Sequence, residues 1–430
     1  MIGAGSVEFT RSVVADLCSF PELRGEISFA LHDIDEERLR YSELAVRSIV
    51  RRSSAGFEVS AHPDRRAALE GAAYAINEIQ VGGYLATLRD FEIPKRYGLR
   101  QTIADTIGIG GIMRGLRTIP VMVGIGTDMH EVCPDAMLLT YTNPMAMVPW
   151  SVYAGTPFHN VFGLCHSVRD THAFLAATAG VPLEDVAFTT AGFNHQAFVL
   201  EFRRRSTGED LYPRLREVAD ADTEGLGRRV RVELFRRFGR FPTESSEHSS
   251  EYVPWFLRHD GEIERFRIPI DEYVHRSDDN LQDWRRTKEA LDRGEELDIE
   301  PGSELASEII HSIETGTPRE VYVNVRNEGL IDGLPEDACV EVPCDVDGKG
   351  PRPRRVGELP PQCLALNRTF LNVAELTVRA ALEGRRDLVD AAALLDPNTG
   401  ATLTTTQIAA MVDELIRSHG DLMPEPIRRT

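Results

Sequence analysis

The first 165 residues alternate short apolar runs with helical patterns, and this alternation restricts the chain to few folds. Apolar runs lie at 27–31, 73–79, 136–141 and 160–164, and the intervening helical segments include 36–52 and 111–129. Strands that alternate with helices along a chain form parallel sheets with helices on both faces. The pattern therefore predicts an α/β fold built on a Rossmann-like doubly wound parallel sheet, as in the lactate and malate dehydrogenases.

The length and charge of the chain limit its domain organisation and the class of its partners. At 430 residues the chain exceeds the size of one ordinary core, which predicts a parallel-sheet domain over 1–165 and a mixed α+β domain over 166–430. The net charge of −20 argues against nucleic acid or an anionic membrane as a partner. With no long apolar span and no secretory signal, we expect a cytoplasmic protein that acts on a small molecule.

Two glycines at the very start of the chain resemble a dinucleotide-binding turn. Gly3, Gly5 and Ser6 begin such a turn, although Glu8 stands where a third glycine is usual. Glycines there allow a tight turn and close approach to a pyrophosphate at a helix N-terminus. Because only two residues precede Gly3, we expect that the first strand begins upstream and is cut short here by an incorrectly assigned start or by trimming of the chain.

Acidic and amide side chains follow the next two apolar runs. Asp33 is placed to hold a ribose hydroxyl, although it lies 28 residues after Gly5 rather than the usual interval of about 20. Asn77 and Gly82 flank a loop predicted to face the nicotinamide side of the crevice. Ordinary turns and solvated carboxylates explain each feature alone, but together they favour a dinucleotide site.

Cys165 and His195 are candidate ligands of a metal ion. The six cysteines include no CxxC pair, and a structural zinc site would supply four protein ligands. A lone thiolate and imidazole instead suggest a divalent ion completed by substrate and water. The alternative is a buried thiol and a hydrogen-bonded core histidine.

Three further segments carry groups suited to proton transfer or sugar binding. Asp105 precedes a Gly-rich helix start, and Asn143 ends a strand-like run with an amide that can bind a sugar diol. In the polar run 243–255, a continuous helix would bring Glu244, His248 and Glu251 or Tyr252 to one face. A helix N-terminus, an Asn-Pro turn and a solvated helix face are the alternatives.

Taken in order, these motifs resemble those of glycoside hydrolase family 4, the NAD-dependent glycosidases, over nearly the whole chain. The motifs are Gly3-Ala4-Gly5-Ser6, Asp33-Ile34-Asp35, Asp105-Thr106, Asn143-Pro144-Met145, Cys165-His166-Ser167-Val168, Asn194-His195 and Glu244-Ser245-Ser246-Glu247-His248. The resemblance implies NAD and a divalent cation, usually Mn²⁺, as cofactors, and a homo-oligomer. It also implies hydrolysis by transient oxidation at C3, removal of the C2 proton, elimination and water addition.

The resemblance also implies roles for individual residues. It assigns the cation to Cys165 and His195. It assigns sugar binding to Asn143 and, more weakly, to Arg89. Asp105 matches the acid that supports the catalytic base, and His166 stands at the general-acid position. For the base itself Tyr252 is the first candidate and His248 the second.

The residues after the cysteine indicate the substrate class. Cys-His-Ser-Val resembles the α-galactosidase branch of the family, which predicts a terminal, unphosphorylated α-galactoside as substrate. An α-glucosidase or α-glucuronidase of the same family is the nearest alternative. A net NAD-dependent dehydrogenase and a non-catalytic NAD-binding regulator are the alternatives outside the family.

Overall fold

The computed structural model describes residues 1–297 and 301–429, with the side chains of residues 7 and 8 left aside. Its strands are β1 (Ser28–Leu31), β2 (Glu58–Ala61), β3 (Tyr74–Asn77), β4 (Met137–Thr140), β5 (Val161–Gly163), β6 (Val186–Phe193), β7 (Gln196–Arg204), β8 (Phe241–Pro242), β9 (Arg319–Arg326), β10 (Cys339–Asp347) and β11 (Gly350–Pro353). Four of these strands, β1, β3, β4 and β5, coincide with the four predicted apolar runs.

The helices separate the parallel strands and fill much of the C-terminal third. They are α1 (Val7–Ser19), α2 (Glu36–Ser53), α3 (Arg65–Leu69), α4 (Gly83–Arg96), α5 (Gly108–Val132), α6 (Val148–Gly155), α7 (Ser167–Ala179), α8 (Tyr212–Ala221), α9 (Val230–Phe238), α10 (Ser246–Glu251), α11 (Asp260–Phe266), α12 (Glu272–Asp292), α13 (Leu305–Thr315), α14 (Pro361–Glu383), α15 (Arg386–Leu395), α16 (Pro397–Thr402), α17 (Thr405–His419) and α18 (Glu425–Arg428).

Helix α2 shows how local sequence sets these bounds. The Asp35 side chain accepts a hydrogen bond from the Arg38 N–H at 3.0 Å and so caps the first turn. Acidic residues occupy that turn and basic residues the last one, which complements the helix dipole. The predicted helix at 36–52 is therefore confirmed.

The parallel half of the structure has the strand order of a dinucleotide-binding fold. Strand β1 pairs with β2, and β3 with β4 and then β5, all in parallel. Ile2 forms parallel bridges to His32 on one side and Asn77 on the other, so it joins the two sheets. The resulting order, β2-β1-Ile2-β3-β4-β5, is the 3-2-1-4-5-6 order of the Rossmann fold, and the predicted fold class is confirmed.

The central first strand is reduced to a single bridging residue, Ile2. Its N–H donates to the Ile76 carbonyl at 2.7 Å, and its own carbonyl accepts from Glu78 at 2.9 Å. On the other side the His32 N–H donates to the Met1 carbonyl at 2.9 Å. These bonds hold the Gly3–Gly5 turn at the carboxyl edge of the sheet, where Rossmann ligands bind.

The sheet continues beyond residue 165 with antiparallel strands. Its order is β3-β4-β5-β9-β10-β6-β7-β8, so β9 and β10, from late in the chain, lie between β5 and β6. The division into domains at 1–165 and 166–430 stays a prediction, and residues 298–300 and 430 lie outside the described residues. Across the described chain, every helix is too short or too polar to serve as a membrane span.

Candidate active site

Cys165, His195 and Glu244 form a cluster with the spacing of metal ligands. Cys165 follows β5, His195 lies in the turn between β6 and β7, and Glu244 follows β8. The Cys165 Sγ is 3.4 Å from His195 Nε2, which is 3.6 Å from Glu244 Oε2. Ligand atoms held at about 2.0–2.3 Å around one ion lie about 3.5 Å apart. The cluster therefore fits a single divalent cation.

Backbone conformation sets two of these three side chains. His195 has φ = 68° and Glu244 has φ = 67°, in the left-handed region that non-glycine residues seldom adopt. Such conformations persist where the surrounding structure enforces them, and they are common at functional sites. Here they turn both side chains toward the half-buried Cys165 thiol.

A hydroxyl relay orients the His195 ring. The Thr106 Oγ lies 2.8 Å from His195 Nδ1 and donates to Asp105 Oδ1 at 2.8 Å. Nδ1 therefore donates to the Thr106 hydroxyl, and Nε2 faces Cys165. Metal-binding histidines are held in the same manner by an acceptor on their other nitrogen.

Asp105 is the centre of a buried polar group. Its Oδ2 accepts from the Asn143 amide at 2.8 Å, and its Oδ1 lies 3.5 Å from His248 Nε2. Burial by itself raises the pKa of Asp105, but His248, Arg114 and His195 together hold that pKa well below its usual range. Asp105 is thus an anion that links the sugar-binding candidate Asn143 to an imidazole.

The charges of the cluster also shift His195. Burial lowers the pKa of this imidazole, whereas Cys165 and the Glu244 and Asp105 carboxylates raise it, with a net rise to about 10. The negative charge around the ring is therefore large enough to hold an added positive charge, which is what a bound cation would supply.

The two candidate bases occupy different positions. Tyr252 is 2% exposed; its hydroxyl lies 3.4 Å from His195 Nδ1, behind the ring, and its own ring packs edge-on against Phe370. Within the described chain, His248 Nε2 is a buried nitrogen without a hydrogen-bond partner. It lies 3.5 Å from Asp105 Oδ1, whereas the Tyr252 hydroxyl lies beside His195 Nδ1.

The predicted shared face of the 243–255 segment is correct only in part. Glu244 precedes α10, and its Oε1 lies 3.4 Å from His248 Nδ1. Glu251 points elsewhere: its carboxylate accepts the backbone N–H groups of Thr102 at 3.0 Å and Ala104 at 2.9 Å. Of the two alternatives Glu251 and Tyr252, the expectation that Glu251 joins the acid–imidazole cluster is wrong, because its carboxylate instead holds the loop before Asp105.

His166 lies beside Cys165 but faces a different partner. Its Nε2 is 2.9 Å from Glu304 Oε2, and its ring stacks with Tyr141 at 5.8 Å between centroids. The pairing orients the imidazole and leaves it partly exposed. Its predicted role as general acid stays a prediction, now with a carboxylate partner that the sequence did not indicate.

The glycine turn lies where a dinucleotide would bind. Gly3 has φ = 80°, and Ser6 directly precedes α1. The Gly5 N–H donates to Asp33 Oδ2 at 2.8 Å, and a Cβ on Gly5 would lie 2.6 Å from that oxygen. A glycine is thus required at position 5 by the close approach of Asp33 and not only by the conformation of the turn.

Asn77, Gly82 and Arg89 are the remaining residues predicted to contact the cofactor or the sugar. Asn77 is fully buried and donates to the Thr140 and Thr142 hydroxyls at 2.9 Å each, so it ties two strand ends together. Gly82, with φ = 83°, directly precedes α4, and Arg89 lies half-buried on that helix. Cofactor contact by Asn77 and Gly82 and sugar contact by Arg89 stay predictions.

The fold is a Rossmann-like scaffold, and comparison with known protein families identifies the class of enzyme to which the chain belongs. Residues 1–181 match Family 4 glycosyl hydrolase, and residues 190–399 match the Family 4 glycosyl hydrolase C-terminal domain. The chain therefore belongs to glycoside hydrolase family 4, and it is a glycosidase.

Individual relatives agree with this assignment. The chain is 43% identical over 428 residues to an α-galactosidase of Bacillus subtilis (strain 168), covering 99% of this chain and 98% of the relative. It is 35% identical to an α-galactosidase of Rhizobium meliloti (strain 1021), covering 99% and 89%. A 6-phospho-α-glucosidase from gut microorganisms, solved in complex with NAD and Mn²⁺, shares the fold at a TM-score of 0.81 and 21% identity, covering 99% and 98%.

Proposed function

We propose that this chain hydrolyses terminal α-galactosides with NAD and a divalent cation, Mn²⁺ above all. The observation that carries the proposal is the Cys165–His195–Glu244 cluster at the carboxyl edge of a Rossmann sheet. Two α-galactosidases among the relatives support the sugar, and the Cys-His-Ser-Val sequence agrees with it. A homo-oligomer and a cytoplasmic location are parts of the same proposal.

The residues present fit both cofactors. Thiolate, imidazole and carboxylate donors whose ligand atoms all lie within 4.8 Å of one another suit a borderline divalent ion with open positions for substrate. The Gly3–Gly5 turn, the α1 N-terminus and Asp33 supply the parts of a dinucleotide site. When bound, NAD supplies reversible hydride acceptance at C3 of the sugar, and the cation supplies Lewis-acid support for loss of the C2 proton.

The side chains of this chain then divide the remaining work. Asn143, whose amide is fixed by Asp105, is placed to hold a sugar hydroxyl. His248 Nε2 is the group we assign to the C2 proton, because it has no hydrogen-bond partner among the described residues, whereas the Tyr252 hydroxyl lies beside His195 Nδ1. Asp105 stabilises the positive charge that His248 gains. His166, oriented by Glu304, is assigned to the leaving oxygen.

A direct assay tests the proposal. Purified chain with NAD, Mn²⁺ and reductant should cleave p-nitrophenyl α-galactoside faster than the α-glucoside and α-glucuronide, and omission of NAD should abolish cleavage. A net dehydrogenase would instead accumulate NADH in proportion to substrate. A regulator would bind NAD and cleave none of the sugars.

A matched pair of variants tests the assignment of the base. His248→Gln should lower kcat by about 100-fold or more, in line with the loss of general base catalysis. Tyr252→Phe keeps the packed ring and should retain most of kcat. The reverse order of effects would return the role to Tyr252.

A further inference from the structure

A row of four residues crosses the sheet beneath the two metal-ligand loops. The strand registers align Gly163 of β5 with Asn324 of β9, Asn324 with Glu341 of β10, and Glu341 with Gly192 of β6. Strand β5 ends two residues before Cys165, and Gly192 lies three residues before His195. The row therefore connects the strands that carry the two ligands.

Glu341 is the hydrogen-bonding centre of this row. Its Oε1 accepts from the Asn194 amide at 3.1 Å and from the Asn324 amide at 3.2 Å. The Asn324 amide also donates to the Gly163 carbonyl at 3.3 Å. Asn194 directly precedes His195 in the chain, so one carboxylate oxygen is joined to both ligand-bearing segments.

The position of Glu341 is energetically unfavourable for a carboxylate. Glu341 is 0% exposed, and its Oε2 has no hydrogen-bond partner in the described structure. Burial raises the pKa of Glu341 to about 7, although the amides of Asn194 and Asn324 oppose the rise. A buried carboxylate with one unsatisfied oxygen lowers the stability of the fold, and an apolar side chain of similar size, such as methionine, would avoid that cost.

We propose that Glu341 is a positioning residue that, through Asn194 and Asn324, fixes the His195 and Cys165 loops at the separation a cation requires. The inference rests on the proposed cation site. The same oxygen accepts both amides, so it sets the relative position of β5 and β6 across the two strands between them. Groups that orient metal ligands in this manner typically change metal affinity by about 10- to 100-fold when replaced.

Two substitutions at Glu341 separate hydrogen bonding from charge. In Glu341→Gln the amide oxygen can accept from both asparagines. In Glu341→Met the bond that joins Asn194 to Asn324 through residue 341 is lost, and Asn324 keeps only the Gly163 carbonyl as acceptor. Glu233→Gln is the matched control, since Glu233 is a buried carboxylate on α9 that pairs with Arg237. Asn324→Ala, which keeps the carboxylate, is the second variant if Glu341→Met does not fold.

The measurement is Mn²⁺ affinity of the metal-depleted full chain, by electron paramagnetic resonance of free Mn²⁺, with circular dichroism as the folding check. We expect Glu341→Met or Asn324→Ala to weaken binding by about 10- to 100-fold, while Glu341→Gln and Glu233→Gln stay near wild type. Wild-type affinity in folded Glu341→Met, or equal losses in the Met and Gln variants, would overturn the inference. Failure of the unsubstituted chain to bind Mn²⁺ would instead overturn the proposed function.

Discussion

Removing the Thr106 hydroxyl tests how the His195 ring is held. Thr106 is fully buried, and its Oγ links His195 Nδ1 to Asp105 Oδ1 with two contacts of 2.8 Å. Thr106→Val keeps the branched shape but removes both links. The imidazole then loses its nearest acceptor, and its Nε2 is no longer fixed toward Cys165.

The size of the effect follows from the neighbours of Nδ1. Loss of such a partner typically weakens metal binding by about 10- to 100-fold. The Tyr252 hydroxyl, 3.4 Å from the same nitrogen, is a replacement acceptor after a small shift. We therefore expect about a tenfold loss for Thr106→Val, equal to about 1.4 kcal/mol. Thr106→Val with Tyr252→Phe removes both acceptors and should approach 100-fold.

Calorimetric titration of Mn²⁺ into metal-depleted protein measures these affinities. Thr106→Ser is the control, because it retains the hydroxyl and should bind Mn²⁺ like wild type. Equal Mn²⁺ affinity in wild type, Thr106→Val and the double variant would refute the relay and its assigned role.

Two further predictions concern regions outside the cation cluster. Gly5→Ala places a Cβ 2.6 Å from Asp33 Oδ2, so the free energy of unfolding should fall by about 1–3 kcal/mol. The affinity for NAD, measured by fluorescence titration, should fall with it. Unchanged NAD binding would contradict the placement of the dinucleotide at this turn. Burial lowers the pKa of His172 to about 3, against about 6.5 unfolded, so its stability contribution is lost as pH falls below about 6.5. Between pH 7.5 and 5, urea unfolding of His172→Gln should lose about 2 kcal/mol less stability than wild type; equal losses would contradict that pKa.

The sequence predicted the parallel half of the fold because its signals are local. Each apolar run is bounded by turn residues, and α2 carries its own cap and charge pattern. The reduced first strand was recognised as unusual, but the bridges of Ile2 to two strands depend on residues 30 and 75 positions away. No local pattern contains that pairing.

The site was predictable where motifs follow strand ends and not where it depends on distant pairing. Cys165 and His195 are both predicted ligands, but they meet through β9 and β10, two strands from late in the chain that lie between β5 and β6. The partnership of His166 with Glu304 spans 138 residues, and that of Asn194 with Glu341 spans 147. The polar run 243–255 predicts a helix that includes Glu244. In the structure Glu244 precedes α10, and its positive φ turns the side chain toward the cation cluster.

The most direct test of the account is the fate of hydrogen at C2 of the sugar. An α-galactoside labelled with deuterium at C2 is turned over with NAD and Mn²⁺ in ordinary water, and the released sugar is examined by NMR or mass spectrometry. The account predicts that hydrogen from solvent replaces the label, because a base removes that proton before the glycosidic bond breaks. Full retention of deuterium in the released galactose would contradict it.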